Sequence, residues 1–587
     1  MLLTDVSSLV KEKDRLSNKR SADKWHVVPY ETSSFSGNLL VASELSFPQK
    51  VTLNLGVKGW HKIYLGFINY AGTNGMHTLL RLTSDDAPSI LMPDMFNKQV
   101  VDGYNYWASY QWMEEGFWKC ADLTGQDLIL EKPFNEDTCS TLCFIRVEEM
   151  SDYEVSEYLS YNAPKNMMYH FDTDWLFWYN DYKTIDEYAN VVERFSHGTG
   201  EIIVQETYFE DFEPISNESL EAKAVRKNYQ KRYRKYLENS DAITRVIVDK
   251  AHSLGMSIYA GTRMEMGNFL SPLDCELLSK KFVVDHPEYS LYTRDGRKTA
   301  VLSYAYKEVR EWEINRLLKS VERGYDGVSL FFIRGVFVGF EKPVKDRFLD
   351  LYGDSPSITE LPISDDRVSN VMCEFITQFI RELRAKLDEF SAKSGRNKIK
   401  INVIVCYDVQ TSKFIGCDIE TWLKEGLVDS ISQGLMATYE DLDECYSDTN
   451  PDLIDLDKYK SVLGKRAIIK RYHHDKAETV IGGAKTLIDL TEKYGVNFYA
   501  SLPWQGKSSN YFVELAQKQY SQGAKKLISW NANHVAENLA KVNLVKSLGD
   551  KDVVMKLSLD DIAYRKLYRV MSLDDKDIST FNPSWLG

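Results

Sequence analysis

One stretch of the chain shows a pattern that recurs along most of its length. Between Leu302 and Arg334, apolar positions first recur every three or four residues and then merge into a short, almost wholly apolar run. The first part predicts an amphipathic helix, and the second predicts a strand that is buried on both faces. A helix that leads into a fully buried strand is the repeating unit of a parallel α/β sheet.

The same alternation continues from about residue 166 to residue 545. The apolar runs that predict strands are Met167–Phe171, Glu201–Thr207, Ser257–Gly261, Gly327–Ile333, Lys400–Cys406, Val428–Gln433, Arg466–Lys470, Val496–Ser501 and Lys526–Trp530. No glycine-rich GxGxxG turn follows the first strand, so a closed (β/α)8 barrel is favoured over a doubly wound sheet. Nine candidates compete for eight places, and we expect Val496–Ser501 to lie outside the barrel.

The first 165 residues have a different pattern. Short, partly alternating segments rich in β-branched and aromatic residues are separated by Gly, Asn and Asp, which predicts an antiparallel β-sandwich. The stretch Tyr104–Trp118 is crowded with aromatic residues, which either stack against sugars or, as we favour, fill the core. The alternation stops after residue 545, and we expect residues 546–587 to pack on the sandwich or on the barrel. The predicted domains are therefore 1–165, 166–545 and 546–587.

Charge and hydropathy limit the partners of the chain. Its 587 residues include 72 Lys and Arg against 86 Asp and Glu, a formal net charge of -14. This balance argues against nucleic acid or an anionic membrane as a main partner. The N-terminal residues show no export signal and no run of 18 apolar residues occurs, so we expect a cytoplasmic protein, or a secreted one if the chain is part of a longer protein. The oligomeric state is left open.

Several ordered motifs carry a resemblance to a known family. DHPEYSLYTRDGRKTAVLSYAYKEVREW from Asp285, YDGVSLFFIR from Tyr325 and GCDIETWLKEGLVDSIS from Gly416 resemble the family-10-like glycosyl hydrolases. In that family a small β domain precedes a (β/α)8 barrel. MYHFDTDW and AHSLGMSIYAGTRME are similar to its first and third strands. The resemblance covers about residues 166–549 and implies a glycoside hydrolase.

The chain departs from the family pattern on the fourth strand. The family carries acids at two positions that are Ser329 and Phe331 here, whereas Asp326, Gly327 and Arg334 match. If those acids are catalytic in the family, this chain uses other carboxylates or has changed or lost the activity.

Candidate catalytic residues follow from the predicted barrel, because active sites lie at the carboxyl ends of its strands. Glycoside hydrolysis needs two carboxyl groups, one protonated and one ionised, about 5 to 5.5 Å apart for retention or about 6.5 to 9.5 Å for inversion. The acids nearest to strand ends are Asp172, Asp174, Glu206 and Asp408. The alternative for Asp172 and Asp174 is to cap the following helix or to pair with Arg263 or Arg334. Asp408 could instead initiate the loop Val409–Gly416 or cap a helix.

Other polar and aromatic residues at strand ends are candidates for binding a carbohydrate substrate. They are His170, Arg263, Glu265, Arg334, Gln433, Lys470, Arg471, His473, Trp504, Trp530 and Asn531. The basic segment Glu221–Asn239 suggests that the substrate is anionic, although a solvated helix is the more common role of such a run. We expect no cofactor and no metal for this mechanism.

Two alternatives stay open. A metal-dependent hydrolase would use His170, Asp172, Asp174 and His473 as ligands, although the HxH pattern of typical amidohydrolases is absent. A glycan-binding protein with a degenerate barrel would explain Ser329 and Phe331.

Overall fold

The computed structural model describes most of the chain. The described residues are 1–43, 45–68, 77–85, 88–91, 100–101, 104–105, 112–133, 139–172, 190–196, 198–205, 240–264, 282, 285–294, 296, 298–333, 337–362, 365–434, 436–438, 473–474, 477–502, 509–530, 547–557, 565–574 and 576–577. All structural statements below concern these residues.

Strands of the N-terminal region come first in the chain. They are β1 (Leu2–Leu3), β2 (Leu16–Ser17), β3 (Trp25–Thr32), β4 (Ser36–Ala42), β5 (Val51–Leu53), β6 (Trp60–Ile68), β7 (Thr78–Leu82), β8 (Ser89–Leu91), β9 (Val100–Val101), β10 (Tyr104–Asn105), β11 (Trp112–Asp122), β12 (Leu128–Glu131), β13 (Ser140–Leu142) and β14 (Phe144–Glu149).

The remaining strands follow. They are β15 (Met167–Asp172), β16 (Thr199–Gln205), β17 (Ser257–Arg263), β18 (Ser290–Tyr292), β19 (Lys298–Leu302), β20 (Gly327–Phe331), β21 (Lys400–Val405), β22 (Ser430–Gln433), β23 (Met436–Thr438), β24 (His473–His474), β25 (Asn497–Leu502), β26 (Lys526–Ser529), β27 (Arg565–Leu573) and β28 (Lys576–Asp577).

The α-helices lie mainly between barrel strands. They are α1 (Val6–Leu9), α2 (Asp152–Ser160), α3 (Ser240–Ser253), α4 (Lys307–Glu322), α5 (Lys342–Tyr352), α6 (Asp366–Ser394), α7 (Val409–Phe414), α8 (Ile419–Lys424), α9 (Ala477–Tyr494), α10 (Ser509–Ser521) and α11 (Lys551–Val554). Short 3-10 helices span Lys13–Arg15, Asn190–Phe195, Pro287–Tyr289 and Ile358–Glu360. No helix in the described ranges is both long and apolar enough to cross a membrane.

A closed parallel barrel is the centre of the fold, as the alternation predicts. Its strands follow one another in the order β15, β16, β17, β20, β21, β22, β25 and β26, and β26 pairs with β15 to close the ring. The expectation that Val496–Ser501 lies outside the barrel is wrong, because Asn497–Leu502 forms β25 between β22 and β26. The competing candidate, Arg466–Lys470, lies outside the described residues.

Antiparallel sheets form the N-terminal region. One has ten strands and another has the order β5-β12-β7-β8. One buried cluster takes residues from both, including Leu40 and Ile63 of the first and Leu53 and Leu80 of the second. The face-to-face arrangement of a sandwich stays a prediction. In the aromatic stretch, the side chain of Trp118 lies in this cluster and is 1% exposed, as expected of a core residue.

Residues near the C-terminus pack on both parts of the molecule. The Tyr520 hydroxyl donates a hydrogen bond to the Leu548 carbonyl oxygen at 2.7 Å, which holds the segment before α11 against the barrel. Further on, β27 pairs with β11 on one side and with β3 on the other. The ten-stranded sheet of the N-terminal region therefore has a strand from the opposite end of the sequence in its interior.

Side chains of β27 also contribute to the N-terminal region. Tyr568 and Val570 belong to a buried cluster with Met113 and Phe144. The Tyr568 hydroxyl donates a hydrogen bond to the carboxylate of Glu115 at 3.3 Å, and that fully buried carboxylate is paired with Arg146 at 2.9 Å. Removing β27 would thus expose apolar surface and take one donor from a buried charge.

We predict that a chain ending at Leu557 has a destabilised N-terminal sheet. It loses the backbone hydrogen bonds on both sides of β27 and the buried side chains of Tyr568 and Val570, each worth a few kcal/mol by comparison with large-to-alanine changes. Hydrogen exchange of β11 and β3 should become much faster, while exchange of β21 stays slow. A chain ending at Asp577, which keeps β27, is the control. Unchanged protection of β11 in the shorter chain would contradict the prediction.

Candidate active site

Three rings fill the described part of the barrel interior near the carboxyl ends of the strands. His170 lies on β15, Phe331 ends β20 and Trp530 directly follows β26. The centroid of the Trp530 ring lies 4.6 Å from that of His170 and 5.3 Å from that of Phe331, and His170 and Phe331 are 5.1 Å apart. All three side chains are at most 5% exposed. They form an aromatic floor at the end of the barrel where such folds carry their sites.

The indole of Trp530 leaves a polar atom unsatisfied. Its buried Nε1–H has no hydrogen-bond acceptor among the described residues. A buried donor without a partner costs about 1–3 kcal/mol, so this position favours a bound acceptor such as a hydroxyl or carbonyl oxygen. Trp530, one of the residues expected to bind substrate, is therefore well placed for that role.

Gly261 on β17 makes room for the ring of Phe331. A Cβ atom added to Gly261 would lie 2.7 Å from Cζ of Phe331 and 2.7 Å from Cγ2 of Ile203. The two residues are complementary, since the ring occupies the space that a side chain on β17 would need. The strand-four position where the related family carries an acid is here part of a packed aromatic cluster.

The second departure on that strand, Ser329, is fully buried in a hydrogen-bond network. Its hydroxyl donates to Oδ1 of Asn402 at 2.7 Å, and Nδ2 of Asn402 donates to the hydroxyls of Ser430 and Ser432 at 2.8 and 2.9 Å. The network links β20, β21 and β22 within the barrel. Neither Ser329 nor Phe331 supplies a carboxyl group.

Two charged candidates end the strands on either side of β16. Asp172 is the last residue of β15 and is paired in register with Gln205, the last residue of β16. Arg263 ends β17 in register with Phe331, and its side chain is partly buried. Of Asp172 the structure describes the backbone position alone.

Asp408 has a structural role that the sequence analysis considered as its alternative. It is the N-cap of α7, where Oδ1 accepts a hydrogen bond from the backbone N–H of Thr411 at 2.6 Å. Since the cap satisfies a helix N–H that would otherwise lack a partner, one carboxylate oxygen is already engaged. The structure does not test a catalytic role for the other.

Gln433 does not have the role we expected. Its side chain is fully buried, and Nε2 donates to the carbonyl oxygens of Tyr407 and Val480 at 2.9 and 2.7 Å. Its Oε1 accepts from the backbone N–H of Ser501 and from Nε2 of Gln519. An amide side chain with two donors and one oxygen has no capacity left for a substrate. We therefore correct the substrate-binding prediction for Gln433 to a structural role that ties β22 to β25, α9 and α10.

The other predicted site residues are not placed. Outside the described residues lie Asp174, Glu206, Glu265, Arg334, Lys470, Arg471, Trp504 and Asn531, together with the basic segment Glu221–Asn239. His473 lies in the short strand β24, where the structure describes its backbone alone. Among the described residues, no three His, Cys, Asp or Glu side chains come together as a metal site.

The loops after β17 and β20 are joined by two charged residues that the sequence analysis missed. In the first loop, Nη1 of Arg294 donates to the carbonyl oxygens of Ile358, Thr359 and Leu361 in the second, and its guanidinium lies 4.6 Å from the ring centroid of Phe340. One arginine thus fixes the hairpin of β18 and β19 to the segment that precedes α6.

Glu341 makes the second link between these loops. Its carboxylate accepts hydrogen bonds from the Ser303 hydroxyl, from the backbone N–H of Gly339 at 3.1 Å and from that of Tyr292 at 3.4 Å. Burial raises the pKa of Glu341 above its usual range, because the protein replaces the water around the charged form. The acid before Lys342 and Pro343, at the start of α5, is the sequence signal that could have identified it.

We predict that Gly261→Ala destabilises the protein by about 1–3 kcal/mol through overpacking against Phe331. Phe331→Leu in the same chain should recover part of that loss, since it removes Cζ of Phe331, which the new methyl group would clash with, and leaves only the clash with Ile203. Thermal or urea unfolding measures both effects. Gly482→Ala in α9 is the matched control, because its added Cβ meets nothing within 4 Å. If the double variant loses as much stability as the sum of the losses in Gly261→Ala and Phe331→Leu, the two residues are not complementary.

We predict that Asp408→Asn and Asp408→Ala separate capping from catalysis. Asparagine keeps the cap, so Asp408→Asn should retain stability, whereas Asp408→Ala should lose about 1 kcal/mol. Asp418, which caps α8 through the N–H of Thr421 at 3.1 Å, provides a control pair of variants. A large loss of activity in Asp408→Asn without a loss of stability would show that its charge is catalytic.

Comparisons with known proteins give glycoside hydrolases among solved structures. The glycoside hydrolase domain of PgaB (BpsB) from Bordetella bronchiseptica is 10% identical and aligns over 67% of this chain and 100% of that chain, with a TM-score of 0.41. That of PelA from Pseudomonas aeruginosa is 10% identical over 62% and 95%, with a TM-score of 0.31. The α-galactosidase TtGalA from Thermus thermophilus is 9% identical over 94% and 99%, with a TM-score of 0.33. No protein-family model and no curated protein sequence matches the chain.

Proposed function

We propose that the protein is a glycoside hydrolase that acts on an oligo- or polysaccharide with two carboxyl groups. The observation that carries the proposal is the aromatic floor of His170, Phe331 and Trp530 at the carboxyl end of a closed barrel. The unsatisfied indole N–H of Trp530 offers a donor to a sugar oxygen. The sequence motifs shared with family-10-like glycosyl hydrolases support the same conclusion.

The catalytic carboxyl groups in this proposal come from the first two strands. Strand four provides Ser329 and Phe331 instead of acids, and Asp408 is partly engaged by the cap of α7. This leaves Asp172, Asp174 and Glu206 as the principal candidates. Asp172 is paired with Gln205, and Glu206 follows Gln205 in the sequence. Neighbouring strands lie about 4.8 Å apart, a spacing compatible with a pair of cooperating carboxyl groups.

Each carboxyl group has a separate task in the proposed reaction. One holds a proton near neutral pH and passes it to the glycosidic oxygen as the bond to the anomeric carbon breaks. The other stays ionised and either attacks the anomeric carbon or activates a water molecule. Arg263 at the end of β17 would keep the second group ionised, because a nearby cation favours the charged form. The basic segment Glu221–Asn239 supports an anionic sugar as substrate.

We predict that Glu206→Gln and Asp172→Asn each lower hydrolysis by about 10²–10⁴-fold without loss of folding. The assay is release of reducing ends from a panel of neutral and uronic-acid polysaccharides and of nitrophenol from aryl glycosides. Asp326→Asn, at the opposite end of the barrel, controls for a general effect of losing an acid. Full activity in both variants would contradict the assignment of these carboxyl groups.

A non-catalytic glycan-binding protein is the second candidate, favoured by the packed Phe331. It predicts binding on a glycan array with no hydrolysis of any bound glycan. In that protein Trp530→Ala should abolish binding, whereas Glu206→Gln should leave it unchanged.

A further inference from the structure

A cavity of about 700 Å³ lies at the end of the barrel opposite to the candidate active site. Barrel strands provide one wall, through Ser257 at the start of β17, Lys400 at the start of β21 and Asp326 just before β20. Helix α3 and the segments that follow α4 and α6 provide the other walls. Small-molecule sites have volumes of about 300–1,000 Å³, so the cavity has the size of a metabolite site.

The residues that line this cavity carry a small excess of positive charge. They include Arg245, Arg323, Arg396, Lys398 and Lys400 against Asp249, Glu322 and Asp326. The whole chain has the opposite balance, with a net charge of -14. A concave surface that concentrates one sign of charge attracts ligands of the other sign.

Part of this charge has a structural explanation. Arg323 is paired with Asp241 at 2.7 Å, and Lys398 is paired with Asp429 at 2.7 Å. Asp326 is held by Nε2 of His252 at 2.8 Å and by the backbone N–H of Ile258 at 2.9 Å. These groups connect neighbouring elements of the barrel.

Hydrogen bonds hold the guanidinium of Arg396 in place without using all of its N–H donors. Its guanidinium donates to the carbonyl oxygens of Val321, Gly324 and Tyr325 at 2.7, 3.0 and 2.6 Å. The Val321 carbonyl lies in the last turn of α4 and the other two carbonyls follow it, at a helix end where a cation is favoured. A guanidinium has five N–H donors, so two remain for a ligand. Arg396 is thus a preorganised donor at the wall of the cavity.

Arg245 and Lys400 lack such an explanation. Neither side chain has a hydrogen-bonding or ionic partner in the described part of the chain. Arg245 lies in the first half of α3 and Lys400 begins β21, so neither serves the carbonyl end of a helix. Both line the same cavity as Arg396. The three side chains provide two cations without partners among the described residues and one cation held by hydrogen bonds.

We propose that this cavity binds a small anionic metabolite whose phosphate or carboxylate oxygens contact Arg245, Arg396 and Lys400. Arginine donates to such oxygens with directed, charge-assisted hydrogen bonds, and lysine adds a point charge. The acids Asp249 and Glu322 on the same wall would accept from hydroxyl or amino groups of the ligand. The site is independent of the proposed glycosidase activity, because it lies at the other end of the barrel.

The experiment is calorimetric titration of the full chain with pyrophosphate, citrate and sulfate in about 150 mM sodium chloride, where long-range charge effects are screened. We expect pyrophosphate or citrate to bind with a Kd below about 1 mM. Tighter binding of pyrophosphate would indicate a phosphate ligand, and tighter binding of citrate would indicate a polycarboxylate. Arg245→Gln and Lys400→Gln should each weaken binding about tenfold, as expected for loss of one charge-assisted contact. Both variants change side chains without partners, so folding should be retained.

Lys386→Gln is the matched control, since it removes one positive charge from the outer surface of α6, where Lys386 contacts Glu389. Its binding constants should stay within about twofold of the original chain, because a distant charge is screened. The proposal is overturned if neither pyrophosphate nor citrate binds, or if Lys386→Gln weakens their binding as much as Arg245→Gln does. It is also overturned if sulfate binds as tightly as they do, because the cavity would then hold an adventitious ion only.

Discussion

Closure of the barrel by the pairing of β26 with β15 is the constraint on which the rest of the structure depends. Met167, Met168 and Tyr169 are in register with Leu527, Ile528 and Ser529. This pairing joins strands that are 360 positions apart in sequence. Because all strands run parallel, closure brings their carboxyl ends to one rim, where His170 and Trp530 meet from the first and the last strand. Without it the aromatic floor would not exist.

The interior of the barrel combines two kinds of packing. Near the carboxyl ends, Phe331, His170 and Trp530 contact one another through their rings. Deeper, Ser329, Asn402, Ser430 and Ser432 satisfy one another by hydrogen bonds. Buried polar groups are tolerated when they are paired in this way. The polar network supports the strands below the floor, and the rings exclude water from it. Each cluster contains one of the strand-four side chains, Phe331 or Ser329, that stand where the related family carries acids.

Much of the barrel could be predicted from its sequence, because buried parallel strands leave continuous apolar runs and their helices leave a 3.6-residue period. Strand β25 was excluded wrongly, since periodicity cannot rank nine similar runs for eight places. In the N-terminal region, β3 contains Pro29, which weakens the pattern of a strand, and nothing local indicates that β27 belongs to the same sheet.

Site residues were harder to predict. The positions of Trp530 and His170 follow from strand ends, and the structure brings them together. Gln433 also ends a strand, but the donors and the acceptor of its side chain are occupied by four hydrogen bonds with distant parts of the chain. Sequence shows where a strand stops but not the face on which its last side chain lies. The complementarity of Gly261 and Phe331 could not be predicted either, because the prediction requires knowing which strands are neighbours.

The position of β27 inside the N-terminal sheet has a consequence for biosynthesis. Ribosomes add about 5–20 residues per second, so after β14 is made, on the order of a minute passes before β27 emerges. During that time β11 and β3 each have an edge without the neighbour that they have in the finished protein. Open strand edges recruit other strands and promote aggregation. Nascent chains of this protein therefore expose these two strand edges until β27 has been synthesised.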